Sequence, residues 1–267
     1  MRSFTPVVLF ATLAARRCFA AAVCPSVWGD VAEDLKSSFV DGDGKCNDNA
    51  RGAIRLSFHD CFPGSCDGSI ILTDECTARI ENSQLVNICS IVGDKANQFN
   101  VGVADLIQFA AAIGIASCPG GPKISVKVGR TDSFEADPTG QLISPNADAA
   151  TIIRQFSERG FSIREFIALM ATHSTAKDRS GNSLDTTVGE MDMRYYTETA
   201  DGSISASLNS DKNLSNATET VGDWNAFAED PVAWEQAFIP AMEKMAVIGN
   251  DQSQLVDCSE ALRLVFP

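Results

Sequence analysis

The sequence predicts a mainly helical protein built in two halves, and three observations carry that reading. Apolar residues recur at helical spacing in several segments, as in Ile163, Phe166, Ile167 and Met170. Only the stretch from Lys123 to Gly129 alternates as a strand would, and it is brief. Breaker-rich stretches fall between the helical runs, the longest around residue 140, with no internal repeat or low-complexity tract. The expected division is residues 23–135 and 136–267.

Taken in order, Trp28 to Phe39 reads as a helix stopped at Asp41-Gly42-Asp43-Gly44. Asn47 or Asp48 caps the next helix, which carries Ile54, Leu56, Phe58 and His59. Pro63 to Gly68 must be a loop. Val103 to Ile115 is a buried, Ala-rich helix holding Asp105, halted before Cys118-Pro119-Gly120-Gly121-Pro122. Residues 131–150 are loop-like. Ser162 and Glu165 then form a capping box that opens a helix running to His173. Residues 180–192 are irregular, and Val232 to Ile248 is a last long helix before a tail with Cys258.

Composition narrows the partners. A net charge of −14 argues against nucleic acid and anionic membrane surfaces, which attract basic patches. Hydrophobic content of 45% with 21% charged residues suits a packed globular chain. Arg2, the apolar run from Pro6 to Ala15 and the small residues Ala20 to Ala22 predict a signal peptide over residues 1–20, cut after Ala20 or Ala22. That run is shorter than the about 20 apolar residues a membrane span needs. Cleavage removes Cys18 and leaves eight cysteines, an even set suited to disulfides in a secreted protein. The sequons Asn213-Leu214-Ser215 and Asn216-Ala217-Thr218 agree with secretion and glycosylation.

The chain has two histidines, each inside a distinctive motif. In Arg55-Leu56-Ser57-Phe58-His59-Asp60-Cys61, Arg55 and His59 share one helical face a turn apart. A fixed cation therefore stands beside an imidazole that can take and return a proton. His173 ends an apolar helical run, as expected of a ring aimed into a buried pocket. A proton-shuttling His–Arg pair with one inward ligand histidine is the set a peroxide-splitting haem site requires.

Arg55-x-x-Phe58-His59-Asp60-Cys61 followed by Gly64-x-Cys66-Asp67-Gly68-Ser69 resembles the distal signature of secreted haem peroxidases of the fungal and plant superfamily. His173-Ser174, Asp185-Thr186-Thr187, Asp192-x-x-Tyr195-Tyr196 and the tail Asp257-Cys258-Ser259 resemble further family motifs, in order, over essentially the whole mature chain. The resemblance implies a haem peroxidase fold, with two helical domains sandwiching one noncovalent haem b. No Cys-x-x-Cys-His attachment motif is present. It implies His59 as acid–base catalyst, Arg55 as charge stabiliser and His173 as iron ligand, with Asp211 of Leu208-Asn209-Ser210-Asp211 as its partner. The family places an asparagine six residues after a glutamate beside the distal histidine; Glu81 and Asn87 fit that spacing.

Two calcium ions are likewise implied. The distal set is Asp60, Asp67 and Ser69 with the Ser65 carbonyl; the proximal set is Ser174, Asp185, Thr187 and Asp192 with the Glu190 carbonyl. Cys46–Cys118 and Cys24–Cys258 resemble fungal pairs, and Cys61–Cys66 a plant one, which leaves Cys76 with Cys89. Leu184 departs from the aromatic that several relatives carry at that place. Asp105 and Arg130, in apolar surroundings, read as a buried structural ion pair.

The expected activity is reduction of hydrogen peroxide with one-electron oxidation of small phenolic or aromatic donors by a secreted monomer. Manganese-oxidising relatives use three acidic residues, whose places here hold Asp48, Gly52 and Arg179. The surface tryptophan of lignin-oxidising relatives is replaced by Ala168, and Trp28, Trp224 and Trp234 read as structural. The competing readings are a manganese- or lignin-oxidising peroxidase and a catalytically silent secreted haem-binding protein; the set Arg55, His59, Asn87 and Asp211 argues against the silent one.

Overall fold

The computed structural model describes residues 23–266, so the expected signal peptide and its cut site lie outside the described residues. The helices are α1 Val27–Phe39, α2 Asp48–Cys61, α3 Ser69–Leu72, α4 Glu75–Ala78, α5 Val86–Phe99, α6 Val103–Ser117 and α7 Ala149–Glu158, then α8 Ile163–Leu169, α9 Arg194–Asp201, α10 Asn209–Asn216, α11 Val221–Glu229, α12 Pro231–Met245 and α13 Ser259–Val265. Among the described residues the sole sheet is a two-stranded antiparallel ribbon, β1 Lys127–Val128 against β2 Val256–Asp257. No single helix there is long and apolar enough to cross a membrane.

Of the two candidate caps, Asn47 is the one used: its side chain accepts from the Asn49 and Ala50 amides. The Ser162–Glu165 capping box forms as expected. The helix expected to reach His173 is α-helical only to Leu169, and Met170–Thr175 continues as a 3₁₀ turn. Side chains explain the change. Tyr196 Oη donates to the Ile167 and Ala168 carbonyls at 2.7 and 3.3 Å, and Trp234 Nε1 donates to Ala168 O at 3.1 Å. These acceptors are satisfied without a further α turn, so the chain can tighten. Helices α3, α4, α5, α7, α9, α10, α11 and α13 add to those expected.

The centre of the core is α6, whose residues are buried on nearly every face. It packs along α2, and Gly114 permits the close approach, because a Cβ there would sit 2.8 Å from Ala50 O. Cys46–Cys118 joins the start of α2 to the end of α6, and Cys61–Cys66 pins its other end; Cys24–Cys258 and Cys76–Cys89 complete four disulfides. Asp105 and Arg130 form the expected buried pair at 2.9 Å. Asp105 also accepts the Gly129 and Arg130 amides, and Arg130 reaches Lys127 O and Ala246 O. The pair thus ties α6 to β1 and to the end of α12. Together these restraints make α2 a rigid mount for Arg55 and His59.

Candidate active site

On α2, Arg55 Nε donates to His59 Nε2 at 3.1 Å. His59 Nδ1 lies 2.8 Å from Asn82 Oδ1. An amide oxygen and a guanidinium admit one arrangement: Nδ1 carries the proton and Nε2 accepts. Burial, reinforced by the Arg55 charge and opposed by the Asn82 hydrogen bond, pushes the His59 pKa down to about 3. The ring is therefore neutral at ordinary pH, with its basic nitrogen beside a cation.

The asparagine in this network is Asn82, which corrects the expectation of Asn87. Asn87 lies in the first turn of α5, exposed, and donates to Asn49 Oδ1 at 3.2 Å. The 3₁₀ turn Ile80–Asn82 brings Asn82 inward instead, where its amide nitrogen donates to the Glu75 carbonyl at 3.1 Å. Glu81 is not the linking group; its carbonyl lies 3.4 Å from Arg55 Nη2. Glu75 is seven residues before Asn82, one more than the family spacing that Glu81 and Asn87 fit. Its buried carboxylate holds Arg79 at 2.6 Å and the Asp137 amide at 2.9 Å, which fixes the turn.

His173 lies in the 3₁₀ turn after α8. Its Nδ1 is 2.9 Å from Asp211 Oδ2, and the other oxygen of this fully buried carboxylate accepts from Ser210 Oγ at 3.0 Å. Tyr195 packs edge-on against the imidazole, with ring centroids 5.7 Å apart, and Leu184 is buried. Both histidines thus have Nδ1 anchored on an oxygen. His173 Nε2 makes no hydrogen bond among the described residues. An anchored imidazole with a free nitrogen beside a buried carboxylate has the chemistry of a metal-ligand histidine.

Oxygen clusters adjoin both histidines. In the distal cluster, buried Asp60 accepts the Gly68 amide on Oδ2 at 3.2 Å, while its Oδ1 and Ser69 Oγ are buried without partners. Asp67 accepts the Ser69 amide at 3.1 Å and Ser65 Oγ at 2.6 Å. Burial raises the Asp60 pKa well above its ordinary value, with Asp67 and Asp137 adding to the rise. Asp137 was not anticipated: its Oδ1 occupies the space a Cβ on Gly64 would need, 2.0 Å away. Its pKa is pushed up to about 6 by burial and by Asp67 and Glu75.

In the proximal cluster, Ser174 Oγ is 2.7 Å from Asp185 Oδ2, 3.1 Å from Glu190 O and 3.3 Å from the Asp192 amide. Asp185 Oδ1 accepts the Thr187 amide at 2.9 Å, and Thr187 Oγ1 is buried without a partner. The Asp185 pKa is pushed up to about 6 by burial, with Asp192 and Glu198 adding to it. Among the described residues no three His, Cys, Asp or Glu side chains converge as a metal site by themselves. A cation here would need the hydroxyls and carbonyls as well, a donor set that suits calcium. Orphaned buried oxygens beside carboxylates fit such an ion, since an unpaired buried polar atom is costly.

Asp48, the carboxylate left at the manganese positions, is ion-paired to Arg51 and, at 3.0 Å, to Lys177. Gly52 offers no side chain and Arg179 is exposed. Trp28, Trp224 and Trp234 are all buried, as is Ala168.

Comparison with known proteins agrees with this geometry. The peroxidase family model matches residues 31–230, and that of the fungal peroxidase extension region matches residues 234–265. Manganese peroxidase 3 of Phlebia radiata is 29% identical, over 91% of this chain and 77% of its own. A peroxidase of Arthromyces ramosus is 28% identical, over 88% and 75%, and ligninase H2 of Phanerodontia chrysosporium 25%, over 91% and 75%. The chain belongs to the peroxidase family and is a haem peroxidase of the fungal kind.

Proposed function

We infer that this peroxidase carries one noncovalent haem b between His59 and His173, and that it oxidises small phenols or aromatic amines one electron at a time. The observation that carries the reading is the matched anchoring of the two imidazoles, His59 Nδ1 on Asn82 and His173 Nδ1 on Asp211. When bound, haem supplies the iron that takes peroxide and the oxidising equivalents passed to the donor. His173 Nε2 would hold the iron, and the Asp211 carboxylate makes that nitrogen a stronger donor. His59 Nε2, whose lone pair accepts from Arg55 Nε in this structure, would exchange that donor for hydrogen peroxide, take a proton from it and return the proton to the oxygen that leaves as water. Arg55 stabilises the charge on that oxygen.

Two calcium ions complete the reading, one held by Asp60, Asp67 and Ser69 with the Ser65 carbonyl, the other by Ser174, Asp185, Thr187 and Asp192 with the Glu190 carbonyl. The orphaned Asp60, Ser69 and Thr187 oxygens support them. Residues 23–135 form the distal domain and 136–267 the proximal one. Four disulfides support an oxidising, extracellular location. A net charge of −14 leaves nucleic acid and anionic membranes out of the partner set, and the enzyme acts as a monomer on small molecules.

Manganese oxidation is disfavoured by the double ion pair on Asp48 and by exposed Arg179. Oxidation through a surface tryptophan is disfavoured by the burial of all three. A silent haem-binding scaffold would have no use for a buried, neutral histidine aligned on an arginine. Steady-state assays with manganese(II), a non-phenolic high-potential aromatic and a simple phenol test the donor class. Strong activity on the phenol alone is expected; efficient, saturable manganese turnover would overturn the assignment.

A further inference from the structure

Arg55 is the catalytic cation, yet no carboxylate pairs with it among the described residues. Its Nε is committed to His59, and its contact with Glu81 O is long at 3.4 Å. The short contact of its outer nitrogens is to a neutral amide: Nη1 donates to Gln84 Oε1 at 2.6 Å. The same amide turns its other end across the cleft, and Gln84 Nε2 donates to the Asp178 carbonyl at 2.7 Å. Asp178 lies five residues after His173.

Both ends of this tether are fixed. Gln84 lies between Asn82 and buried Leu85, whose amide donates to Asn82 O at 2.7 Å. The Asp178 turn is closed by its own carboxylate, which accepts the Ser180 and Asn182 amides at 2.8 Å each. Lys177 bridges antiparallel to Ser183, and Leu184 N donates to Ala176 O at 3.0 Å, which stiffens the same turn.

We propose that Gln84 is a positioning residue for Arg55: a neutral tether that fixes the guanidinium against the segment following His173 and leaves its charge unspent. The inference rests on the role given to Arg55 above. A carboxylate at position 84 would hold the guanidinium too, but it would cancel the charge the reaction uses and could not donate to Asp178 O. An amide does both tasks without that cost.

The test uses haem-loaded protein and two readouts: equilibrium binding of fluoride, an anion that Arg55 would stabilise beside the iron, and the bimolecular rate with hydrogen peroxide. Gln84→Met keeps the length of the side chain and removes both hydrogen bonds. Because position 84 is exposed, its thermal midpoint should match the wild type. Fluoride affinity and peroxide rate should each fall about three- to tenfold, the scale of one ordinary hydrogen bond, because Gln84 acts through Arg55 from an exposed position. Gln84→Glu should weaken fluoride binding at least as much. Arg55→Leu, the control, should lose more on both counts. If Gln84→Met and Gln84→Glu match the wild type while Arg55→Leu loses both, the tether has no role. If Arg55→Leu is also silent, the reading of Arg55 falls, and this proposal with it.

Discussion

Arg55 Nε and His59 Nε2, one helical turn apart at 3.1 Å, are donor and acceptor. The contact forces the imidazole proton onto Nδ1, which donates it in a hydrogen bond to Asn82 Oδ1. A histidine held this way is a base aimed by two neighbours, and most of the chemistry follows from keeping it neutral.

Asn82 should therefore matter and Asn87 should not. Replacing Asn82 with Ala removes the acceptor of the Nδ1 proton, and the rate with peroxide should drop about ten- to a hundredfold, the scale known for partners that orient metal-ligand histidines. Asn87→Ala, on an exposed helix face, should stay within about twofold. Stopped-flow rates for the two variants check this. The opposite ranking would restore the spacing-based assignment.

The acid limb of the reaction is set by His59. Its pKa of about 3 lies below the ordinary histidine value, because burial and the Arg55 charge disfavour the imidazolium. The base stays competent as pH falls through 6.5 and is lost only near pH 3. A pH profile of the bimolecular peroxide rate, with calcium saturating, should be flat from pH 7 to about pH 4. A limb near 6.5 would contradict this environment.

Calcium binding should have its own pH dependence. Without a cation the Asp185 pKa is about 6, raised by burial and neighbouring carboxylates, and a bound ion must displace that proton. Affinity should thus be full above pH 6 and fall as pH drops through it. Titration calorimetry at several pH values, with thermal midpoints before and after chelation, measures this. Equal affinity at pH 5 and pH 7, or an unchanged midpoint after verified calcium loss, would remove the claim.

Asp105 and Arg130 offer a stability test away from the chemistry. Asp105→Ala would strand a buried guanidinium and free two backbone amides, at a cost of about 3–5 kcal/mol. The measurement is denaturant unfolding with calcium and haem present. A loss under about 1 kcal/mol would mean the pair is dispensable.

The capping box at Ser162, the burial of Val103 to Ile115 and the pairing of Arg55 with His59 are local matters, set by spacing along one helix. Asp211 is legible only through the resemblance of Leu208-Asn209-Ser210-Asp211 to a family motif, since nothing in the spacing links it to His173. Asn82 was not legible, because its approach to His59 depends on a 3₁₀ turn anchored by Glu75, Arg79 and the Asp137 amide. The end of α8 at Leu169 was hidden for the same reason: Tyr196 and Trp234 claim its last carbonyls from well down the chain. Asp137 and Gln84 act across the fold, and no short motif announces either.

The most direct test is the reaction of haem-loaded wild type and His59→Ala with hydrogen peroxide, followed by stopped-flow absorbance in the Soret region. Both proteins should bind haem, and His59→Ala should react at least about a hundredfold more slowly, since general acid–base help is worth about 10²–10⁴ in rate. Arg55→Leu should fall between them. A His59→Ala protein that reacts at the wild-type rate would contradict the account.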